Sequence, residues 1–215
     1  MHPELLVKAL AAMHGSATVE EFHATSGIAS RSVACDVLDF MLGQEIGSIK
    51  KGQVEFSGRD RLELADIALQ AGCDMEQVSQ HLSWKDFEGL ASDVLSSLGY
   101  STRTNVRFTK PSMEIDVVGI DAGFALSVDC KHWKRGNLSS ISQFCSKQIA
   151  RTQELLRRDK SISRAVPAVM TLHAERVRFA AGVPVIPVLK FRSFAVDAKG
   201  FLDQMTVIER GSASR

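Results

Sequence analysis

The sequence has 215 residues, 45% of them hydrophobic and 24% charged, with a formal net charge of +1. This composition is ordinary for a soluble globular protein and is sufficient to bury a core in one large domain or two modest ones. No apolar run reaches the length of a membrane span and no secretory signal is visible, so we expect a cytoplasmic protein that does not bind membranes.

The small net charge hides an asymmetry between the two halves of the chain. Residues 1–82 contain 6 Lys and Arg against 12 Asp and Glu, net −6, whereas residues 83–215 contain 20 against 13, net +7. The second half is therefore the candidate for binding a polyanion. The four cysteines show no CxxC spacing, which argues against both a disulfide framework and a structural zinc site.

Residues 1–57 have the pattern of a mainly α winged helix-turn-helix module. Three short helices are predicted, the second capped by Thr18 and the third by Ser30, and a small hairpin is predicted at Lys51. Residues 58–82 predict two further helices that link this module to the next one.

Charge argues against DNA binding by this first module. Its candidate recognition helix, residues 30–42, carries Arg31 as the only base against two aspartates. Phosphates repel such a surface. We expect the module to serve in dimerisation, which implies a homodimer, in partner binding, or in packing against the basic domain, with at most a local DNA contact through Arg31, Lys50 and Lys51.

Ser83 begins the next predicted helix, whose apolar stripe starts at Trp84. Glu88 falls inside that stripe, where an unpaired buried carboxylate would be costly. Either Glu88 lies at the edge of the stripe and reaches solvent, or it belongs to a site. Residues 101–108 then predict a strand.

Residues 113–131 predict two antiparallel strands joined by a tight turn at Asp121, Ala122 and Gly123. Because side chains alternate along a strand, Asp129 and Lys131 share a face. If Asp116 lies on the matching face of its neighbour, two carboxylates and one ammonium group converge, which could hold a divalent metal beside a polarised water. The alternative is an ordinary exposed ion pair without function.

A basic segment follows this hairpin. Residues 132–136 predict a basic aromatic loop, and residues 138–158 predict a long helix with bases along one side. The pattern fits either a solvated helix face or a track for a phosphate backbone, and we favour the track. The predicted nucleic-acid-binding residues are Lys134, Arg135, Lys147, Gln148, Arg151 and Arg158.

The remainder of the chain predicts buried strands at residues 165–172 and 184–189, with a short helical piece at 173–182 between them. His173 is expected to be a surface residue, since no second histidine stands at metal-ligand spacing. Residues 191–205 are expected to close the domain as a helix or loop, and residues 211–215 to form a disordered tail.

The central hairpin resembles the PD-(D/E)XK nuclease superfamily, in particular Mrr-type restriction endonucleases and Holliday-junction resolvases. Ile115 and Asp116 match the first element, with isoleucine where the family name has proline, and Asp129, Cys130 and Lys131 match the second, thirteen positions further on. With the flanking helices, the resemblance covers residues 83 to 195. It implies an α/β fold in which a restriction endonuclease-like mixed β-sheet, residues 83–210, is flanked by helices.

The resemblance also implies a function and roles for individual residues. The chain would be an endonuclease that hydrolyses DNA phosphodiester bonds with Mg²⁺ or Mn²⁺. Asp116, Asp129 and the Cys130 backbone carbonyl would bind the metal, with Glu88 as a further acid, and Lys131 would orient the attacking water or stabilise developing charge. Gln148 would point at the site. The alternative is a nucleic-acid-binding or regulatory protein built on a nuclease fold that does not cleave.

Overall fold

A computed structural model of the chain describes residues 1–131, 138–172 and 178–210. The chain forms two compact units, residues 1–86 and residues 87–215. Within the described residues, no helix is both long and apolar enough to cross a bilayer. Of the predicted features, the loop at residues 132–136, His173 and the tail at residues 211–215 lie outside the described residues.

The first unit contains a helix, a short strand, two helices and a hairpin, followed by further helices. In chain order its elements are α1 (Pro3–Ala12), β1 (Ser16–Ala17), α2 (Val19–Ser26), α3 (Arg31–Gly43), β2 (Ser48–Lys50), β3 (Gln53–Glu55), α4 (Gly58–Gln70) and α5 (Met75–Ser79). The strands form an antiparallel sheet in the order β1, β3, β2. The helices predicted to link the two modules, α4 and α5, belong to this unit, because α4 packs against α1.

Capping residues define where the helices of this unit begin. Thr18 and Glu21 form a complete capping box at the start of α2, as Ser57 and Asp60 do at the start of α4. The Ser30 hydroxyl accepts from the backbone N–H of Val33 at the start of α3. Each box satisfies backbone N–H groups that have no partner inside the helix, so these short helices begin at defined residues.

A buried ion pair anchors the end of the first unit. Asp86 is 3% exposed, pairs with Arg61 of α4, and accepts hydrogen bonds from the Ser83 N–H (2.8 Å) and hydroxyl (2.9 Å). Arg61 also donates to the Met13 carbonyl, at 2.9 Å. The Asp86 carboxylate therefore satisfies the backbone N–H of Ser83, and it also binds α4.

The second unit is built on a seven-stranded mixed sheet. Its elements are α6 (Trp84–Ser97, entering from the first unit), β4 (Ser101–Thr109), β5 (Ser112–Asp121), β6 (Phe124–Lys131), α7 (Leu138–Arg158), β7 (Arg164–Thr171), β8 (Arg178–Ala180), β9 (Val183–Pro187), α8 (Phe191–Asp197) and β10 (Ile208–Glu209). The strand order is β4, β5, β6, β7, β9, β8, with β10 paired to β7. The predicted α/β class is confirmed.

Strand directions divide the sheet into two parts. β5 pairs antiparallel with both β4 and β6. β7 pairs parallel with both β6 and β9. α7 supplies the crossover between the parallel strands β6 and β7, as such a connection requires. β6 lies near the centre, and all its residues from Phe124 to Cys130 are buried.

Helices cover both faces of the sheet beside β5 and β6. Gln148 of α7 hydrogen-bonds to Ser127 on one face, in the row of side chains that includes Asp129. On the other face a Cβ at Gly119 would lie 2.8 Å from a methyl group of Leu95 in α6, so glycine allows this close approach. One apolar cluster between α7 and the sheet contains Val118, Ala125, Leu155, Leu156, Ile162 and Ala165.

Two predictions of local structure are wrong. Residues 178–180, predicted as part of a helical piece, form strand β8, which pairs antiparallel with β9 across a turn at Ala181 and Gly182, both with positive φ. Trp84, predicted to be buried, is 52% exposed. The buried stripe of α6 begins only at Phe87 and continues through Ala91 and Leu95.

We expect Asp86→Ala to destabilise the chain by about 2–4 kcal/mol, because it removes the buried partner of Arg61 and two hydrogen bonds from Ser83. Urea denaturation followed by circular dichroism measures this loss. The matched control is Glu4→Ala, whose ion pair with Lys8 is exposed and should contribute much less to stability. Equal small losses in both variants would contradict a structural role for Asp86.

Candidate metal centre

The candidate site lies where β5 and β6 separate. The two strands are paired from Asp121 and Phe124 as far as Val117 and Val128, and the pairing ends there. Continuing the same register would place Asp116 opposite Asp129. Instead, the Asp116 carboxylate accepts a hydrogen bond from the backbone N–H of Cys130, at 2.6 Å. The side chain of Asp116 thus takes the place of a strand partner.

The Cys130 backbone carbonyl points toward the same gap. Within a strand the N–H and C=O of one residue face the same neighbour, and the Cys130 N–H faces Asp116. The Cys130 side chain points to the other face of the sheet from Asp129, is fully buried, and burial raises the pKa of its thiol. The carbonyl, rather than the thiol, is therefore the group that Cys130 offers beside the two carboxylates.

Asp129 is a buried carboxylate held by two cations. It is 1% exposed, and its Oδ1 accepts from Lys131 Nζ at 3.0 Å and from an Arg151 guanidinium nitrogen at 2.6 Å. Its Oδ2 lies 2.9 Å from Lys131 Nζ but accepts no hydrogen bond from the described residues. The alternative of an ordinary exposed ion pair is therefore wrong, because Asp129 and Lys131 form a largely buried one.

Gln148 and Arg151 of α7 bind adjacent parts of β6. The Gln148 side chain, fully buried, donates to the Ser127 carbonyl at 2.8 Å and to its hydroxyl at 3.0 Å. Arg151 donates weakly to Gln148 Oε1, at 3.5 Å, in addition to Asp129. Gln148 is thus placed to position Ser127 and Arg151. Because it does not reach the surface, the prediction that it binds nucleic acid is wrong.

The environment of Asp116 favours its neutral form. Burial raises the pKa of Asp116 from 3.8 to about 6, and repulsion from Asp129 adds to this, while the Cys130 N–H and Lys131 act in the opposite direction. The Glu88 charge raises this pKa as well, as the last of the named causes. Carboxylates whose pKa is raised by burial and by a neighbouring charge are more frequent at functional sites than elsewhere.

Glu88 lies close enough to the site to act on its charges. Its side chain is partly exposed and accepts from the Asn105 amide at 3.4 Å, a long contact. Its charge also raises the pKa of the Cys130 thiol. The structure therefore places Glu88 near Asp116, at the edge of the buried stripe of α6 rather than inside it.

The predicted DNA-contacting residues fall into three groups. Lys134 and Arg135 lie outside the described residues. Lys147 is exposed, and its Nζ lies 5.9 Å from the centre of the Phe144 ring, on which Lys131 Nζ also sits, at 5.5 Å. Arg151 and Arg158 are both held by groups of the protein: Arg151 binds Asp129, and Arg158 pairs with Glu154 and donates to the Lys110 carbonyl.

Arg151 is the site residue that sequence reasoning placed elsewhere. The periodicity of α7 assigned it to an outer basic side, whereas the structure directs it at Asp129. Two features of the sequence could have indicated this. Asp129 ends an apolar strand and needs a cationic partner, and Arg151 stands three residues after Gln148, on the same side of the helix.

The candidate site offers two carboxylates to a cation. Within the described ranges no three His, Cys, Asp or Glu side chains form a group that could hold a metal. Mg²⁺, however, is commonly bound through one or two carboxylates together with waters and substrate phosphates. The buried Asp129 Oδ2, which accepts no hydrogen bond there, is an oxygen of the required kind.

Comparison with known proteins adds no family. No family model matches the sequence, and no curated protein is significantly similar to it. Among solved structures the chain is similar to AF1548, a protein of unknown function, with a TM-score of 0.33 and 16% identity over 53% of this chain and 66% of the other. It is also similar to VC1899 from Vibrio cholerae, with a TM-score of 0.35 and 11% identity over 94% and 52%, respectively. The chain thus spans less than two thirds of either protein, and neither likeness bears on function.

In the absence of metal, we expect stability to fall as the pH rises through about 6, because the folded chain holds a proton on Asp116 that the unfolded chain releases near pH 3.8. The contribution is complete below about pH 4 and is lost above about pH 6. Over this range the free energy of unfolding of the wild type should fall by about 1–2 kcal/mol relative to that of Asp116→Asn, which cannot ionise there. The loss is smaller than the full pKa difference implies, because partial exposure screens the charge.

The measurement is urea denaturation of both proteins in EDTA, at pH about 4.5 and about 7.5. The asparagine variant is the matched control, because its side-chain oxygen can still accept from the Cys130 N–H. A stability difference between the two proteins that does not change with pH would contradict the raised pKa of Asp116.

Proposed function

We propose that the chain is a metal-dependent endonuclease that hydrolyses DNA phosphodiester bonds. The observation that carries the proposal is the convergence of Asp116, Asp129 and Lys131 at the point where β5 and β6 separate. This is the arrangement that the resemblance to PD-(D/E)XK nucleases requires of these three residues. The order of elements supports it as well: α6, three antiparallel strands, α7, and then a strand parallel to β6.

Each residue of the candidate metal centre would have its own role in phosphodiester hydrolysis. Asp116, Asp129 and the Cys130 carbonyl would hold Mg²⁺ or Mn²⁺, with Glu88 close by. Bound there, such an ion would supply charge neutralisation at the phosphate and a water of lowered pKa. Asp116 and Asp129 are hard oxygen ligands, and their mutual repulsion would be relieved by the cation.

Lys131 is placed to act on the phosphate or on the attacking water. Its ammonium group is held by Asp129 and lies against the Phe144 ring, and the side chain is 17% exposed. A compact cation fixed in a partly buried place needs little reorganisation when negative charge develops on the phosphoryl oxygens. This is how Lys131 would stabilise the transition state.

A second candidate is a nucleic-acid-binding protein that does not cleave. It is favoured by a specific observation: Lys131 and Arg151 already neutralise Asp129. If these pairs persist in the presence of metal ions, the fold would bind nucleic acid without hydrolysing it. Cleavage assays decide between the two candidates.

We further propose that the first unit is a winged-helix-like module with a role in self-association or partner binding. Its element order, α1, β1, α2, α3 and the β2–β3 hairpin, supports the fold. Two of its three candidate DNA-contacting bases have acidic partners, since Arg31 pairs with Glu20 and Lys50 with Glu55. A homodimer formed through this unit stays a prediction.

We expect the purified protein to cleave DNA in Mg²⁺ or Mn²⁺ and to be inactive in EDTA. Asp116→Ala, Asp129→Ala and Lys131→Ala should each reduce cleavage by at least about 10²-fold, since each removes a charge that the transition state needs. Linear, nicked, branched and single-stranded DNA are tested in parallel. The matched control is Asp36→Ala, in the first unit.

Cleavage in EDTA, or an Asp116→Ala protein as active as the wild type, would refute the nuclease proposal. Absence of cleavage on every substrate, with DNA binding retained, would favour the second candidate. Circular dichroism of each variant distinguishes loss of chemistry from loss of fold.

For DNA binding, we expect Lys147→Gln to weaken affinity and to reduce the slope of log K against log salt by about one, as for one lost phosphate contact. Lys147 is exposed and stands beside the candidate site. Arg31→Gln is the control, because Arg31 is paired with Glu20. An unchanged slope in Lys147→Gln, or an equal decrease in Arg31→Gln, would contradict the assignment of the DNA surface to α7.

A further inference from the structure

Arg151 binds the same carboxylate, Asp129, that a bound metal would need. Its guanidinium lies 2.6 Å from Asp129 Oδ1, and Lys131 Nζ lies 3.0 and 2.9 Å from the two oxygens of the same carboxylate. Asp129 is almost fully buried, so water screens these charges weakly. A divalent ion on Asp129 would thus share one carboxylate with two other cations.

The charges around this carboxylate favour release of the arginine rather than of the lysine. Without metal, Lys131 and Arg151 offset the carboxylates of Asp129 and of ionised Asp116, and the Glu88 charge acts on the same site. A divalent ion would make the set net positive, and it would repel the two cations that already bind Asp129. Lys131 is on β6 itself, two residues from Asp129, whereas Arg151 reaches across from α7 on a long side chain.

Arg151 also has a direction in which to move. Its side chain is 23% exposed, so part of it already reaches solvent. One turn earlier on α7, the exposed Lys147 marks the surface on which we expect the phosphate backbone. Guanidinium groups bind phosphate through two parallel hydrogen bonds, which a lysine cannot reproduce.

We propose that Arg151 is a metal-responsive phosphate-binding residue: it closes on Asp129 when the metal is absent and is released to bind a DNA phosphate when the metal is present. This inference rests on the proposed metal centre and extends it. Metal and arginine compete for Asp129, so nucleic-acid binding by Arg151 is coupled to loading of the site. The coupling makes firm binding of the scissile phosphate conditional on the ion that its hydrolysis needs.

The test compares the wild type with Arg151→Gln and Arg151→Met in the full chain. Methionine keeps an aliphatic side chain at this position. Because two different variants are compared, the result does not depend on the folding of either one alone. Arg157→Gln is the control for loss of one positive charge on α7, because Arg157 pairs with Glu154 and is largely exposed. Mn²⁺ affinity is measured by calorimetry without DNA, and duplex binding is measured across salt concentrations in Ca²⁺ and in EDTA.

Removing the competing cation should tighten Mn²⁺ binding about tenfold in both Arg151 variants and leave it unchanged in Arg157→Gln. In Ca²⁺ the Arg151 variants should lose about one unit of salt slope, and in EDTA they should keep the wild-type slope. Loss of a positive charge this close to the site would tighten metal binding even if Arg151 were merely structural. A merely structural arginine would not, however, give a slope change confined to Ca²⁺.

The outcomes separate the two proposals. If the wild type binds Mn²⁺ but the Arg151 variants bind it no more tightly, or lose the same slope in EDTA as in Ca²⁺, the coupling is refuted and the proposed metal centre stands. If the wild type binds no Mn²⁺, the metal centre itself is refuted, and the coupling with it.

Discussion

The second unit depends on one buried charge, the carboxylate of Asp129 on the central strand β6. Every residue of β6 from Phe124 to Cys130 is buried, so the polar ones must find partners inside the protein. Lys131 and Arg151 neutralise Asp129, and Gln148 binds Ser127. An unpaired buried carboxylate would cost several kcal/mol, so these contacts fix which part of α7 faces which part of β6. The helix cannot slide along the strand without abandoning Asp129.

The same end of β6 is where regular sheet structure stops, and the two facts are connected. Pairing with β5 ends at Val117 and Val128, which leaves backbone groups of Cys130 without a strand partner on that side. The Asp116 carboxylate accepts a hydrogen bond from the Cys130 N–H, so this backbone group is satisfied although the two strands are no longer paired there. A fully paired hairpin would satisfy these groups and leave no room for a ligand. The separation of the strands therefore creates a place in which two carboxylates and a carbonyl can face the same small volume.

Much of this architecture could be predicted from local chemistry, and the remainder could not. The bounds of α7 follow from its helical periodicity, and the turn at Ala122 and Gly123 is one in which both residues take positive φ, as a tight hairpin requires. The two carboxylates and Lys131 follow from strand alternation. β8 was not predicted because three residues are too few to show the alternation of a strand. Their strand structure comes from pairing with β9. The partner of Arg151 was not predicted because helical periodicity gives the side of a helix on which a residue lies, but not the direction that a long side chain takes.

α7 joins the chemistry of the site to the charge on the surface. Cys145 packs with Val169 and Val185 of the sheet, Gln148 and Arg151 bind β6, and Lys147 stays exposed between them in sequence. These roles are possible on one helix because residues three or four apart lie on the same side, and their neighbours lie on others. The first unit offers no comparable surface, since Arg31 and Lys50 are both paired with acids and residues 1–82 carry net negative charge. A polyanion drawn to this protein by charge would accordingly be drawn to the second unit. There α7 carries the exposed Lys147 and also supplies Arg151, a residue of the candidate metal centre.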